Sequence, residues 1–135
     1  MNDTLLLDAS AILAALKTDE PQHEAAVGLL TDEALTLSTL ELARYEVVNV
    51  AVCGWRKPEL VTASLGVLER IANDGGILAP SDVHLTRAAE LAALHGISVY
   101  DAAYAAVTGR RLVSCDERDL VSKGLAVLPA DARSN

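Results

Sequence analysis

The order of apolar and polar residues divides the chain into short apolar runs separated by longer stretches of helical composition. Five runs have the length and the apolar character of buried strands; they cover residues 5–7, 35–38, 77–79, 112–114 and 126–128. The stretches between them are rich in alanine and leucine, which favour helices. The pattern therefore predicts strands that alternate with helices along the whole chain.

Local signals mark where several of the helices begin and end. Ser38 with Glu41, and Ser98 with Asp101, have the form of capping boxes or close variants, which start helices. Gly96 follows an alanine- and leucine-rich stretch, as is typical of the glycine that ends a helix. We expect one helix to begin after Ser38 and to run to about residue 52, and another to cover residues 99–107.

The predicted strands show no polar alternation, so neither of their faces suits water. This is typical of parallel sheets that are covered by helices on both sides. We therefore predict an α/β fold, a three-layer α/β/α domain with a central parallel sheet of about five strands. With 135 residues, 51% of them hydrophobic, the chain can form its own core, and we expect residues 1–135 to be a single domain.

The net charge of the chain restricts how it would bind nucleic acid. Eleven Lys and Arg residues face 19 Asp and Glu residues, for a net charge of −8, so the general field repels phosphate. Binding would need metal or local basic spots, for which the candidates are Arg44, Arg56 with Lys57, and Arg110 with Arg111. Each spot is explained more simply as a solvated surface charge.

Other residue types restrict the function and the location further. Only 3% of the residues are aromatic, so stacking platforms for bases are limited to Trp55 and three tyrosines, which we expect in the core or at its rim. Cys53 and Cys115 lie far apart in no metal-ligand spacing, and we expect ordinary small buried residues. No stretch has the form of a signal peptide or a membrane span, and we expect a cytosolic protein with no membrane partner.

Four acidic residues stand where a solvated charge is not expected. Asp8, Glu46 and Asp101 are embedded in apolar sequence, and Asp116 directly follows a predicted strand. A buried charge is costly unless it is paired or belongs to a site. Taken singly, each has a simpler explanation as a helix cap or a surface charge, and capping explains Asp101 well.

The predicted fold brings these acids towards one edge of the sheet. Asp8 and Asp116 end strands there, and Asp101 lies in the first turn of a helix, where an anion is favoured. Glu46 lies inside its helix and shares a face with Asn49. Four carboxylates at one place require protonation or a bound cation. Oxygen ligands without His or Cys favour Mg²⁺ or Mn²⁺, so the residues alone predict a candidate divalent-metal site, of a kind that can hydrolyse phosphodiesters.

Four segments, in this order, resemble the PIN domain, in particular the ribonuclease toxins of VapBC-type toxin–antitoxin pairs. They are residues 6–11 (LLDASA), 41–49 (ELARYEVVN), 100–106 (YDAAYAA) and 112–116 (LVSCD), and the resemblance covers essentially the whole chain. It implies a doubly wound parallel sheet, a metal site for Mg²⁺ or Mn²⁺, endoribonuclease activity on RNA, a homodimer, and inhibition by a cognate antitoxin protein.

The resemblance also implies roles for particular residues. Four carboxylates match the family's acidic quartet, which implies metal binding and catalysis: Asp8, Glu46, Asp101 and Asp116. Ser10 and Ser114 match the small hydroxyl positions beside the quartet, where a hydroxyl can bond a carboxylate. Asp119 is a candidate auxiliary acid, although it fits the outer face of a short helix equally well.

Two other functions remain open at this stage. A PIN-like domain can serve mainly as a protein-binding module without significant nuclease activity; loss of Asp8 or Asp101 would be its signature, and both are present. A Mg²⁺-dependent phosphatase would use an aspartate after the first strand as its nucleophile. The usual Asp-x-Asp arrangement is missing, because Ala9 and Ser10 follow Asp8. The leading interpretation is a metal-dependent endoribonuclease that acts as the toxin of a toxin–antitoxin pair.

Overall fold

The computed structural model describes residues 4–133, and its centre is a parallel sheet of four strands flanked by helices. In chain order the strands are β1 (Thr4–Leu7), β2 (Thr36–Leu40), β3 (Ile77–Leu78) and β4 (Arg111–Val113). Their order across the sheet is β3-β2-β1-β4, so β1 pairs with both β2 and β4. This arrangement confirms the predicted α/β fold with a parallel sheet.

The fifth predicted strand, at residues 126–128, does not form. This segment makes one isolated parallel bridge, in which Val127 bonds to the carbonyl of Leu112 (3.0 Å) and the amide of Ser114 (2.9 Å). The pairing cannot continue, because Pro129 has no amide hydrogen and begins the 3₁₀ turn Pro129–Asp131. The expected number of strands was therefore one too high.

Six α-helices connect the strands within the described part of the chain. They are α1 (Ala9–Leu16), α2 (His23–Thr31), α3 (Glu41–Asn49), α4 (Val61–Ala72), α5 (Asp82–His95) and α6 (Val99–Ala105). A π-helical turn, Val50–Gly54, continues α3; a 3₁₀ turn, Pro58–Leu60, leads into α4; and a second π-helical turn, Glu117–Val121, follows β4. Helix α1 packs against α2, α3 and α4, whereas α5 and α6 pack against each other.

Two of the predicted helix signals are confirmed and one is wrong. The Ser98 hydroxyl accepts a hydrogen bond from the amide of Asp101 (3.0 Å), and Gly96 ends α5 in the left-handed conformation (φ 66°). Ser38, by contrast, lies within β2, and its hydroxyl donates to the carbonyl of Leu5 on β1 (2.8 Å). Because that hydroxyl is used between strands, α3 begins at Glu41 without a side-chain cap.

The core lies where the helices pack on the sheet. Its largest fully buried apolar side chains are Leu6, Ile12, Leu29, Val47, Leu68, Ile71, Val113 and Leu120. In residues 4–133, no helix has both the length and the apolar character needed to cross a membrane.

The expectation of two buried cysteines was wrong for Cys53. This residue is exposed, because it lies in the π-helical turn at the end of α3. Cys115 follows β4 and is partly buried, and burial, with the nearby charge of Asp8 as the next cause, raises the pKa of its thiol to about 12. Both side chains are free thiols.

Gly75 lies where the loop after α4 meets β2, and this close approach gives a test of the packing. Its amide donates to the carbonyl oxygen of Leu37 (2.7 Å), and a Cβ at this position would lie 2.4 Å from the same oxygen. We predict that Gly75→Ala lowers the free energy of unfolding by about 2 kcal/mol, because the contact is with backbone that cannot easily move. Urea denaturation measures the change.

Gly66 provides the matched control for Gly75→Ala. It is exposed inside α4, and no atom lies within 4 Å of the position its Cβ would take. Gly66→Ala should therefore raise the free energy of unfolding by about 0.5–1 kcal/mol, since alanine restricts the unfolded chain and favours the helix. If the two variants were equally stable, the described contact between Gly75 and Leu37 would be wrong.

Candidate metal centre

Asp8 is a buried carboxylate at the carboxyl end of β1. It caps α1: its Oδ1 accepts hydrogen bonds from the amide of Ala11 (3.0 Å) and from the hydroxyl of Ser10 (2.6 Å). The residue is only 5% exposed. Burial raises the pKa of Asp8 to about 6, and the charge of Glu46 acts in the same direction. Hydrogen bonds from Ser10, Ser114 and Ala11 oppose this rise.

Two serine hydroxyls connect Asp8 with the loop after β4. The Oγ atoms of Ser10 and Ser114 lie 3.2 Å apart, and Ser10 Oγ accepts the amide hydrogen of Cys115 (2.8 Å). Ser114 Oγ accepts the amide hydrogen of Asp116 (3.0 Å). Both hydroxyls therefore lie beside the acids, as predicted, and their hydrogen bonds hold the loop after β4 against Asp8.

Glu46 faces the same edge from α3, where Tyr104 of α6 holds it. The Tyr104 hydroxyl donates to Glu46 Oε1 (2.7 Å), and the tyrosine ring is buried. Burial raises the pKa of Glu46, the bond from Tyr104 lowers it, and the charge of Asp101 raises it. From the sequence we expected the tyrosines only in the core or at its rim. The signal for Tyr104 was its position three residues after Asp101, on the same helix face.

Asp101, Asp116 and Asp119 come closest together. Each has a carboxylate oxygen within 4.8 Å of the other two. Asp116 begins the second π-helical turn, and its Oδ1 accepts the amide hydrogen of Asp119 (2.9 Å), which turns Asp119 towards the same space. Burial raises the pKa of Asp101, and the charges of Asp116 and, to a smaller extent, Asp119 raise it further, while the bond with Ser98 lowers it.

The structure thus joins the four predicted acids and the auxiliary acid into one acidic cluster. We use this name for Asp8, Glu46, Asp101, Asp116 and Asp119. The charge of Glu46 raises the pKa of Asp8, and the charge of Asp101 raises the pKa of Glu46. The charges of Asp116 and Asp119 in turn raise the pKa of Asp101. The donors are all oxygens, the ligands that Mg²⁺ and Mn²⁺ prefer, so the residues fit such an ion.

Asn49, which we expected to support Glu46, lies in different surroundings from Glu46. It is exposed at the end of α3 and lines a surface groove together with Arg44, Tyr45 and Val48. No described hydrogen bond connects it with the acidic cluster, so its supporting role remains a prediction.

The three basic spots differ in their relation to the acidic cluster. Arg44 forms an ion pair with Glu41 at the start of α3 (2.9 Å). Arg110 and Arg111 lie at the amino end of β4, the opposite end from Asp116. Arg56 and Lys57 are exposed and follow Trp55, which lines a cleft beside Asp116.

Two solved structures resemble this fold over nearly the whole chain. PAE2754 from Pyrobaculum aerophilum is 24% identical, with a TM-score of 0.64; the match covers 95% of this chain and 84% of that one. A toxin–antitoxin complex from Klebsiella pneumoniae is 18% identical, with a TM-score of 0.63, over 93% of this chain and 97% of that one. At these identities the likeness concerns the fold alone.

The sequence comparisons give one family and no individual relative. No curated protein sequence matches the chain. The family model described as PIN domain matches residues 5–123, which include β2, β3, β4, all but the first residue of β1, and every member of the acidic cluster. The chain therefore belongs to the PIN domain family.

Proposed function

We propose that this protein is a Mg²⁺- or Mn²⁺-dependent endoribonuclease that acts as the toxin of a type II toxin–antitoxin pair. PIN domains are generally nucleases and typically use divalent metals. The observation that carries the proposal is the approach of Asp101, Asp116 and Asp119 to within 4.8 Å of one another, beside the buried Asp8. Like charges at this distance repel strongly, and a bound cation would remove that repulsion.

In this proposal each residue of the site has a stated role. The metal-binding and catalytic carboxylates are Asp8, Glu46, Asp101 and Asp116, with Asp119 as an auxiliary ligand. Ser10 and Ser114 orient Asp8, and Tyr104 orients Glu46, through the hydrogen bonds described above. A divalent cation in such a site supplies an activated water and stabilises the leaving oxygen of a phosphodiester.

The proposed antitoxin partner is supported by the structural neighbour and by one surface of α3. The similar Klebsiella pneumoniae structure is a toxin–antitoxin complex. On this chain, a groove of about 540 Å³ runs along α3 and is lined mainly by apolar atoms, with Tyr45, Val48 and Val52 in it and Glu41 and Arg44 at its polar positions. An amphipathic segment of a partner protein suits such a groove.

A second apolar surface supports the proposed homodimer. A groove of about 310 Å³ lies between α3, α5 and α6 and is lined by Leu42, Leu85, Val99 and Tyr100. Tyr100 is 66% exposed, and Tyr45 at the edge of the groove is 75% exposed, so both predicted rim tyrosines lie on the surface. A second copy of the chain would cover apolar area that is unfavourable in water.

We predict that purified protein cleaves single-stranded RNA in Mg²⁺ or Mn²⁺, and that EDTA abolishes cleavage. Asp101→Asn should slow cleavage by more than about 100-fold, because even residues that only support a metal ligand contribute up to about that factor. Asp82→Asn is the matched control, since Asp82 is exposed in the first turn of α5 outside the acidic cluster. Cleavage of total cellular RNA, with the new ends mapped by sequencing, is the measurement.

The same variants test the role as a toxin. Expression of the unchanged chain should arrest cell growth, whereas expression of Asp101→Asn should not. If metal-loaded protein cuts no RNA in this assay, the alternative of a protein-binding PIN domain without significant nuclease activity would replace the proposal.

The homodimer is tested by two leucines of similar exposure. Leu85 lies in the apolar groove and is 43% exposed, whereas Leu65 lies on α4 and is 48% exposed. Leu85→Glu should weaken dimerisation at least about tenfold, because the interface would bury an unpaired charge. Leu65→Glu should leave it unchanged. Analytical ultracentrifugation over a range of concentrations measures both; a monomeric parent protein would contradict the dimer.

Asp8 makes the stability of the metal-free protein depend on pH. Its pKa is about 6 in the folded chain, against 3.8 for an unperturbed aspartate, so between these pH values the folded state keeps a proton that the unfolded state has already lost. The resulting stability is present below pH 4 and is lost as the pH rises through 6, a change of about 3 kcal/mol.

Asp8→Asn isolates this effect, because asparagine keeps a capping oxygen but cannot ionise. In EDTA, we predict that the free energy of unfolding of the variant relative to the unchanged protein rises by up to about 3 kcal/mol between pH 4 and pH 7. Mg²⁺ at pH 7 should stabilise the unchanged protein more than the variant. Urea denaturation provides the values, and parallel pH profiles for the two proteins would contradict the raised pKa of Asp8.

A further inference from the structure

A cleft of about 280 Å³ opens directly beside the acidic cluster. Ser10 and Asp116 line this cleft and also belong to the network of the acids. Residues of α1 and Val50 of the first π-helical turn form an apolar wall, and Trp55 and Glu20 complete the lining. Its volume is close to the lower limit of small-molecule sites, roughly 300 Å³. We call it the Trp55 cleft.

Hydrogen bonds fix the backbone on both sides of Arg56, next to Trp55. The amide of Trp55 donates to the carbonyl of Val50 (2.7 Å), and the amide of Lys57 donates to the carbonyl of Ala51 (2.8 Å). Arg56, between them, has φ 56°, and it is the one non-glycine residue with a positive φ in the described chain. An arginine rarely adopts this conformation, and residues held in such conformations concentrate at functional sites.

Positive charge is concentrated next to this tryptophan. Three of the chain's eleven Lys and Arg residues are Lys17, whose Nζ lies 5.8 Å from the centre of the Trp55 ring, and Arg56 and Lys57, which follow Trp55 directly. Lys17 also pairs with the exposed Asp19 (3.3 Å), an ion pair that water screens. An aromatic platform with cations beside it is the arrangement that binds single-stranded nucleic acid.

Glu20 gives the Trp55 cleft a hydrogen-bonding edge. Glu20 is partly buried, and within residues 4–133 its carboxylate takes part in no described hydrogen bond or ion pair. A carboxylate accepts hydrogen bonds and donates none. Among the RNA bases, guanine presents two adjacent N–H donors on its Watson–Crick edge, which match the two oxygens of a carboxylate.

We infer that the Trp55 cleft binds one unpaired base of single-stranded RNA, with a preference for guanine, and thereby positions the neighbouring phosphate at the acidic cluster. Trp55 stacks on the base, Glu20 accepts its N–H groups, and the three cations contact the phosphates on either side. Binding of the base does not depend on the nuclease function proposed above; only cleavage of the bound strand rests on that function. A paired base cannot enter, because its Watson–Crick edge and its faces are already occupied.

The experiment uses Asp101→Asn protein, so that the RNA stays intact, and three probes. The probes are a short oligouridine strand with one central guanosine, the same strand with uridine at that position, and the first strand annealed to its complement. Because Trp55 is the only tryptophan of the chain, its fluorescence reports on this cleft alone. We expect saturable quenching by the guanosine strand, a higher Kd for the uridine strand, and no quenching by the duplex.

Variants in the same background, measured by anisotropy of the labelled guanosine strand, separate stacking from other effects. Trp55→Leu should raise the Kd about tenfold or more, whereas Trp55→Phe, which keeps a ring, should stay within about threefold. Leu94→Ala removes an exposed apolar side chain of α5, outside the Trp55 cleft and both grooves, and should leave the Kd unchanged. Glu20→Gln should tighten binding of both strands by removing a negative charge, but should abolish the preference for guanosine.

The outcomes distinguish this inference from the nuclease proposal. Equal Kd values for the parent and Trp55→Leu, equal quenching by single strand and duplex, or binding without quenching would each overturn the inference. If metal-dependent cleavage persists in that case, the nuclease proposal stands without it. If Trp55-dependent binding is found while the unchanged protein cuts no RNA, the base site stands and the nuclease proposal falls.

Discussion

The register between β1 and β4 is the constraint on which the acidic site depends. Leu7 pairs with Val113, and the amide of Asp8 donates to the carbonyl of Val113 (3.1 Å). This pairing brings Ser114 to Asp8 and Ser10, although more than 100 residues separate Ser114 from these two in the chain. A slip by one residue would reverse the faces of the β4 side chains and separate Ser114 from Ser10. The hydrophobic core, which fixes this register through Leu6 and Val113, therefore also fixes the site.

The polar groups around the acids are arranged to hold the carboxylates rather than to neutralise them. Asp8 receives hydrogen bonds from hydroxyls and an amide, and Glu46 receives one from Tyr104, but no described ion pair involves either of them. Neutral donors orient a carboxylate and leave its charge, which a basic partner would cancel. Without a cation, the repulsion that remains between the acids lowers the stability of the fold, as is common where function requires a strained arrangement.

Sequence patterns predicted the features that local rules decide. The alternation of strands and helices, the position of Asp8 and Asp116 after two strands, and the Ser98 cap all follow from periodicity and from short-range signals. The errors concern residues whose hydrogen-bond partners lie far away in the chain. Ser38 has the local form of a cap, but the carbonyl of Leu5 takes its hydroxyl; the bond between Tyr104 and Glu46 joins two helices 58 residues apart. Asp119 could not be assigned to a face, because a π-helical turn replaces the expected regular helix.

The net charge of −8 is unfavourable for the proposed binding of RNA, but the distribution of the charges matters more than their sum. Five of the 19 acids form the acidic cluster, where a divalent cation would offset part of their charge. Lys17 lies over the aromatic ring beside that cluster, and Arg56 and Lys57 follow this tryptophan directly in the chain. Three basic side chains can make only a few phosphate contacts, so little affinity would come from counterion release. In the proposed function, recognition by such a surface would depend on stacking and on metal at one place, which would select a strand that can present an unpaired base next to a phosphate.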